Sequence, residues 1–275
     1  MVKPCRVMLG LHGFNDYRET FDDLASALSA DCVAFYAYDQ RGFGATVDRG
    51  SWPGRSRLVN DAISVASLLR ERYPGTPLYV AGESMGGAVA LLALAQNMPV
   101  DGAVLMAPAV WARDIQPWYQ RFGLWLGVRL MPNAKLASAW IDIDPSDDPE
   151  VLEYWRSHPD GDPETRVSAL YGVNALMDAA LQAANELQTR ALILYGGEDE
   201  VIPPEATCAL LKELEEAPAD WRFVYYPEGY HMLARYSGAA ATIQDIREWL
   251  QSSIVELPSG GELQPVAARD KMCSQ

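Results

Sequence analysis

Short apolar runs alternate with amphipathic stretches along most of this chain. The runs that predict strands cover residues 7–11, 32–38, 78–81, 103–107, 191–195 and 221–226. Helical periodicity covers 20–29, 56–72, 204–216 and 239–253, and a helix-prone run at 87–94 follows the strand at 78–81. Strands that are apolar throughout and separated by helices are typical of a mostly parallel sheet covered on both faces. The pattern therefore predicts an α/β fold.

The alternation stops between residues 110 and 188, where no comparable strand run occurs. This interruption predicts a helical cap inserted into an α/β core that is formed by residues 1–109 and 189–256. Residues 257–275 carry proline, glycine and charge without periodicity, so we expect a flexible tail there. Five of the eight tryptophans lie in the insertion: Trp111, Trp118, Trp125, Trp140 and Trp155.

One predicted helix of the insertion concentrates aromatic side chains on a single face. Trp118, Phe122 and Trp125 share that face with Arg129 at helical spacing. One interpretation is a packing face against the core. The other is the underside of a lid, where the three aromatic residues contact an apolar substrate. The acidic stretch 142–164 lacks the spacing of a calcium loop and is predicted to be a solvated loop rather than a metal site.

The charge balance excludes some classes of partner. The chain has 275 residues with 22 basic and 37 acidic side chains, a net charge of −15. Such a surface repels the phosphates of nucleic acids and provides no polybasic membrane anchor. A neutral, lipid-like ester remains a suitable substrate because its recognition needs an apolar pocket.

The cysteines and the apolar runs predict where the chain resides. The four cysteines show no paired or regular spacing, so we expect neither a disulfide framework nor a zinc site, and reduced thiols favour the cytoplasm. No signal-peptide core precedes the first strand, and no run reaches the 18 apolar residues of a membrane span. The sequence leaves the oligomeric state open.

Candidate chemistry begins with the pentapeptide Gly-Glu-Ser-Met-Gly at 82–86, which lies between a predicted strand and a predicted helix. A serine on such a strained strand-to-helix turn is exposed for nucleophilic attack, and the helix amides that follow stabilise an anion. The alternative is a glycine-rich turn before a packed helix. The context favours Ser84 as the nucleophile.

The base and its orienting acid follow from a short list of candidates. His231 lies in the loop after the last predicted strand, which is where sites form in open α/β sheets. His158 is predicted to be an exposed loop residue. The order serine, acid, histidine of this strand–elbow–helix arrangement places the acid in Glu198-Asp199-Glu200. Each of these carboxylates fits by type, and the short side chain favours Asp199.

Two backbone amides are the candidate donors for the oxyanion. One belongs to Met85, the residue after the nucleophile, and the other to Phe14 in the loop after the first strand. Gly13 allows that loop to approach the substrate closely. His12 is interpreted as a structural brace of the loop.

Together these motifs resemble the α/β-hydrolase superfamily in kind and in order. The similarity is carried by residues 11–14, 39–44, 82–87, 197–199 with Pro203, and 229–231, and it extends over roughly 6–253. Within the superfamily the chain is similar to the bacterial lysophospholipase and monoacylglycerol lipase group of the Hydrolase_4 type. The resemblance implies a serine hydrolase that needs no cofactor or metal, acts on monoacylglycerols or lysophospholipids, and touches membrane surfaces transiently.

The chain departs from the family at its start. The family opens with an antiparallel hairpin before the first strand found here, and His12 comes too early for that hairpin to fit. We therefore expect the strand at 32–38 to form a sheet edge, unless an upstream segment or another element covers it. Two alternatives to the esterase remain: a peptidase or thioesterase on the same fold, and a non-catalytic binding scaffold.

Overall fold

A seven-stranded, mostly parallel sheet forms the centre of the computed structural model, which describes residues 3–137, 143–159, 164–252 and 256–274. Its strands are β1 (Arg6–Leu11), β2 (Val33–Ala37), β3 (Leu78–Glu83), β4 (Gly102–Met106), β7 (Ala191–Gly196), β8 (Trp221–Tyr226) and β9 (Glu262–Leu263), arranged in the order β2-β1-β3-β4-β7-β8-β9. Five neighbouring pairs are parallel, and β9 pairs with β8 in the antiparallel direction. A separate antiparallel pair joins β5 (Lys135–Ala137) and β6 (Glu164–Arg166).

The helices are α1 (Asp22–Ser29), α2 (Arg55–Arg72), α3 (Met85–Ala95), α4 (Trp118–Leu130), α5 (Pro149–Ser157), α6 (Val167–Ala183), α7 (Pro204–Leu214), α8 (Ala239–Gln251) and α9 (Pro265–Cys273). Alternate residues of the strands face two separate cores. Val7 and Leu9 of β1 pack with residues of α2, α3, α6 and α7, whereas Met8 packs with α1 and α8. This alternation within a buried strand gives the doubly covered sheet that the sequence predicts.

The predicted extent of the cap is wrong in one respect. Helix α6 packs with the core, since it contacts α3 and its Leu176 and Ala180 are fully buried in the apolar cluster that also contains α3. The strands β5 and β6 also lie in the region where the sequence indicated none. They are three residues long, which is too short to produce a recognisable apolar run. Trp140 lies outside the described residues.

The segment after α8 is ordered and packed, so the prediction of a flexible tail is wrong for the part that the structure describes. Strand β9 extends the sheet beside β8, and α9 packs on α7 with Ala268 and Met272 fully buried. The apolar positions of α9 are few, which is why the sequence pattern did not reveal this helix.

The cysteines form two disulfides, which corrects the expectation of free thiols. Cys5 is bonded to Cys32, and Cys208 in α7 is bonded to Cys273 at the end of α9. The partners are 27 and 65 residues apart, so only the fold brings them together. Disulfides are typical of oxidising compartments, and the cysteine argument for the cytoplasm therefore no longer holds.

Strand β2 forms one edge of the sheet within the described part of the chain, as the sequence predicts. Its faces are half-buried: Phe35 packs on Phe21 of the α1 side, and Tyr36 packs on Tyr73 of the α2 side. Among the described helices, none combines the length and apolarity required to cross a membrane.

Candidate active site

Ser84 lies on a sharp turn between β3 and α3, at the carboxyl edge of the sheet. Its backbone has φ 53° and ψ −118°, a strained conformation for a non-glycine residue. The flanking glycines make this turn feasible. A Cβ on Gly86 would lie 1.8 Å from the carbonyl oxygen of Leu11, and a Cβ on Gly82 would lie 2.6 Å from that of Gly86. The turn presents a half-buried serine at the N-terminus of α3, where helix amides favour an anion.

The structure brings His231 and Asp199 together although they are 32 positions apart. His231 follows β8 and Asp199 follows β7, and Nδ1 of His231 lies 2.9 Å from Oδ2 of Asp199. The other oxygen of Asp199 accepts the backbone N–H groups of Val201 at 2.8 Å and Ile202 at 2.9 Å. The Asp199 side chain is fully buried, whereas Glu198 and Glu200 beside it are exposed. Burial and the two amide bonds explain why the aspartate makes this contact and its neighbours do not.

Two opposing effects set the protonation of His231. Burial alone would lower its pKa, but the charge and hydrogen bond of Asp199 together with the charge of Glu83 outweigh burial and raise the pKa above 6.5. Because Nδ1 faces Asp199, the neutral ring carries its proton on Nδ1 and keeps Nε2 as an acceptor. A histidine in this state can remove a proton from a hydroxyl group.

The predicted oxyanion donors lie on two segments that meet at Ser84. The loop after β1 runs past the serine, since a Cβ on Gly13 would be 3.5 Å from Cβ of Ser84. Phe14 is the next residue of that loop. Its ring packs edge-on against the ring of Phe43, with the ring centroids 5.4 Å apart, and this contact holds the residue in place. Met85 is the first residue of α3, where backbone N–H groups have no acceptor within the helix.

His12 braces the same loop, in agreement with the structural role predicted for it. Its Nδ1 donates to the carbonyl of Gly13 at 2.8 Å, and its Nε2 accepts the N–H of Gln40 at 2.9 Å. The Gln40 side chain in turn donates to the His12 carbonyl at 2.7 Å. Both ring nitrogens are engaged and burial lowers the pKa of His12, so this histidine is suited to holding the loop. His158 is half-buried and stacked on Tyr17 at 3.9 Å, not exposed as predicted.

The cap is attached directly to the loop that carries His231. The carbonyl of Pro145 accepts the N–H of Met232 at 2.8 Å, next to His231. Ser146 is fully buried and donates to the carbonyl of Arg235 at 2.7 Å. The stretch of the cap near residues 145–147 therefore fixes the histidine loop, a role that its acidic composition did not reveal.

The aromatic face predicted for α4 is present, but it is exposed. The exposed fractions of Trp118, Phe122 and Trp125 are 75%, 55% and 44%. The interpretation as a packing face against the core is therefore wrong. Helix α4 contacts α6 through its other side, where a Cβ on Gly127 would lie 3.2 Å from Val167. Contact between the three rings and a substrate remains a prediction.

Three buried charged residues beside the site were missed by the sequence analysis. They are Asp16 after β1, Glu83 at the end of β3, and Arg235 in the histidine loop, and all are less than one-tenth exposed. A charged residue next to apolar strand positions in the sequence is the signal that could have indicated them. Such a residue is buried with the strand and needs a partner of opposite charge. Glu83 directly precedes Ser84 and was treated only as the variable position of the pentapeptide.

Comparison with known proteins identifies the family. Residues 2–235 match the family Hydrolase_4, described as serine aminopeptidase, S33. The chain is 23% identical over 270 residues to monoglyceride lipase of Mus musculus, covering 94% of this chain and 86% of that protein. It is 26% identical over 145 residues to the monoglyceride lipase homolog of Monkeypox virus, covering 52% of this chain and 52% of that protein. The crystal structure of Paleococcus ferrophilus monoacylglycerol lipase aligns with a TM-score of 0.74 at 20% identity, covering 90% of this chain and 95% of that one. The chain belongs to the Hydrolase_4 (serine aminopeptidase, S33) family and has the α/β-hydrolase fold.

Proposed function

We propose that this protein is a serine hydrolase that cleaves the carboxylic ester of monoacylglycerols or lysophospholipids. The observation that carries the proposal is the buried pair of His231 and Asp199 at the same sheet edge as Ser84, whose positive φ marks a nucleophile elbow. The family assignment and the relatives described as monoglyceride lipases support the ester as the scissile bond.

The proposed reaction proceeds through an acyl-enzyme. Oγ of Ser84 attacks the ester carbonyl carbon while Nε2 of His231 accepts the hydroxyl proton. The backbone amides of Phe14 and Met85 stabilise the oxyanion, and Asp199 stabilises the imidazolium. His231 then gives the proton to the leaving alcohol. A water molecule then gives a proton to Nε2 of His231 and attacks the acyl carbon, and His231 returns the proton to Oγ of Ser84 as the bond to Oγ breaks and the fatty acid leaves.

The surface of α4 supports a lipid-like substrate. Besides Trp118, Phe122 and Trp125, its exposed apolar side chains are Tyr119, Leu126 and Leu130. A contiguous exposed apolar surface marks a site of interaction. We propose that this helix contacts the surface of a lipid aggregate transiently and guides the acyl chain toward Ser84.

The decisive test is Ser84→Ala measured on monoolein, lysophosphatidylcholine and p-nitrophenyl esters from C2 to C16. We expect a loss of about 10³-fold or more, because the residual rate comes only from binding and oxyanion stabilisation. Ser64→Ala is the matched control, since Ser64 is exposed on α2 and its hydroxyl donates to the Asn60 carbonyl of the same helix. A fluorophosphonate probe should label the wild type and the control and leave Ser84→Ala unlabelled. Full activity in Ser84→Ala would refute the proposal.

A peptidase is the second candidate because acidic groups surround Tyr230, the neighbour of His231. Burial and then the carboxylates of Asp147, Glu198 and Glu200 raise the pKa of Tyr230. Such a negative field suits the amino group of a peptide substrate. Turnover of aminoacyl p-nitroanilides that exceeds turnover of the ester panel in kcat/KM would favour this candidate over the esterase.

A further inference from the structure

Three separate segments of the active site each contribute one charged side chain to a common buried cluster. Asp16 lies two residues after the predicted oxyanion donor Phe14, Glu83 directly precedes Ser84, and Arg235 lies four residues after His231. The side chains of Asp16, Glu83 and Arg235 are 6%, 4% and 7% exposed. The cluster therefore ties the oxyanion loop, the nucleophile elbow and the histidine loop to one another.

The contacts within the cluster converge on one guanidinium nitrogen. Nη2 of Arg235 donates to Oδ2 of Asp16 at 3.2 Å and to Oε2 of Glu83 at 3.3 Å. Thr20 donates its hydroxyl to Oδ2 of Asp16 at 2.9 Å. Two carboxylates thus share one cation, so the cluster carries one excess negative charge when both carboxylates are ionised. Groups buried at this depth are weakly screened by solvent.

The charges that face His231 come from three elements. Asp199 after β7 contacts the ring, Glu83 at the end of β3 adds a second negative charge, and Arg235 on the histidine's own loop opposes both. Burial raises the pKa of Glu83 above its usual value; the charges of Arg235 and His231 partly offset this rise, and the charge of Asp16 adds to it. His231 and Glu83 therefore stabilise each other's charged forms.

We propose that Glu83 is a positioning residue: with Arg235 and Asp16 it joins the oxyanion loop, the nucleophile elbow and the histidine loop, and its carboxylate adds a negative charge to the buried region where the imidazolium of His231 forms. The inference rests on the proposed function, in which His231 becomes positively charged as Ser84 attacks. Asp199 then supplies orientation and direct charge contact, and Glu83 supplies a second negative charge from the end of the strand that leads into Ser84.

Glu83→Gln tests the charge with little change of shape, and Asp16→Asn is the matched comparison. Both variants remove one carboxylate from Arg235 and leave the other as its counterion. Glu83→Gln should move the titration of His231 to lower pH. Asp16→Asn retains Glu83 and should leave the titration of His231 near its wild-type position. NMR titration of the imidazole signals measures this without any substrate, and the spectrum of His231→Gln assigns the signal among the three histidines.

The kinetic readout follows the same logic. On p-nitrophenyl butyrate, Glu83→Gln should lower kcat several-fold with little change in KM, because the imidazolium forms only on the way to the transition state. The acid limb of kcat/KM should move to lower pH with it. Glu215→Gln, which breaks an exposed ion pair with Arg269, is the control for a charge lost elsewhere.

Equal shifts of the His231 titration in Glu83→Gln and Asp16→Asn, or no shift in either, would overturn the inference and leave the cluster with a structural role. A ¹³C-carboxyl titration of the wild type provides a check that does not depend on the variants folding. Glu83 must be ionised in the pH range where His231 titrates, and a protonated Glu83 there would also overturn the inference. The NMR result stands even if the protein hydrolyses no ester, so failure of the proposed function is recognised separately.

Discussion

Replacing Asp199 by asparagine should reverse the tautomer of His231, and the structure indicates why. One oxygen of Asp199 accepts two backbone N–H groups, from Val201 and Ile202, and the other faces Nδ1 of His231. An asparagine must keep its oxygen toward the two amides, because its NH₂ group cannot accept a hydrogen bond. The NH₂ group then faces Nδ1 and donates to it. The proton of the neutral ring moves to Nε2, which can no longer accept the proton of Ser84.

The expected loss of kcat is large because Asp199→Asn removes the base function of His231 and leaves the fold intact. A histidine held in the wrong tautomer costs about 10⁴-fold in kcat, which corresponds to about 5.5 kcal/mol of activation free energy. Both backbone hydrogen bonds to the side chain at position 199 are retained, so Tm should change by less than about 4 °C. Initial rates on p-nitrophenyl butyrate measure kcat, and a thermal melt of the same preparations measures Tm.

The pH profile gives an independent readout of the same residue. In the wild type the pKa of His231 is raised above 6.5, so the acid limb of kcat/KM should lie above that value, since only the neutral ring acts as base. In Asp199→Asn the raising charge is lost and the limb should move to lower pH. Glu198→Gln and Glu200→Gln are the controls, because both side chains are exposed and should leave kcat within about twofold. Two results would refute the reasoning. One is a folded Asp199→Asn variant with more than about one-tenth of the wild-type kcat, and the other is a Glu198→Gln variant that loses most of its kcat.

Further variants test the predicted substrate contact of α4, the edge strand β2 and the disulfide between Cys208 and Cys273. Trp118→Ala and Trp125→Ala should each cost about 1 kcal/mol, about fivefold in kcat/KM, on C12–C16 esters and spare acetate and butyrate esters, because short chains do not reach α4; a uniform loss would indicate a folding defect instead. Wild-type protein should self-associate through the edge strand β2, and Tyr36→Lys should reduce this in size-exclusion chromatography with light scattering; a monodisperse wild-type monomer would contradict it. Cys273→Ser opens the disulfide to Cys208 and should lower the free energy of unfolding by about 2–4 kcal/mol, measured by denaturant titration, whereas an unchanged value would mean that the cross-link adds no stability.

The parts of the site that are written in neighbouring residues could be predicted from the sequence. The elbow depends on Gly82 and Gly86 around Ser84, and backbone crowding at those positions permits only glycine. The parallel sheet depends on apolar strands whose alternate residues face two cores. The bracing role of His12 follows from its place directly before Gly13. Each of these features is a local constraint, so a short window of sequence is enough to indicate it.

The sequence left other features undetermined because they depend on which distant segments meet. Asp199, Glu198 and Glu200 are equivalent by type, and only burial and the orientation of the loop bring one of them to His231. The assignment of α6 to the core, the packing of α9 and both disulfides likewise required the arrangement of the elements in space.

The sequence by itself therefore determined the fold class, the nucleophile elbow and the order of the candidate residues, because backbone geometry and strand periodicity act over a few adjacent positions. Only the tertiary structure decided which carboxylate contacts His231 and that Glu83 and Asp16 both bind Arg235. The physical reason is that burial sets the strength of an electrostatic interaction, and burial is a property of the packed chain and not of any residue type.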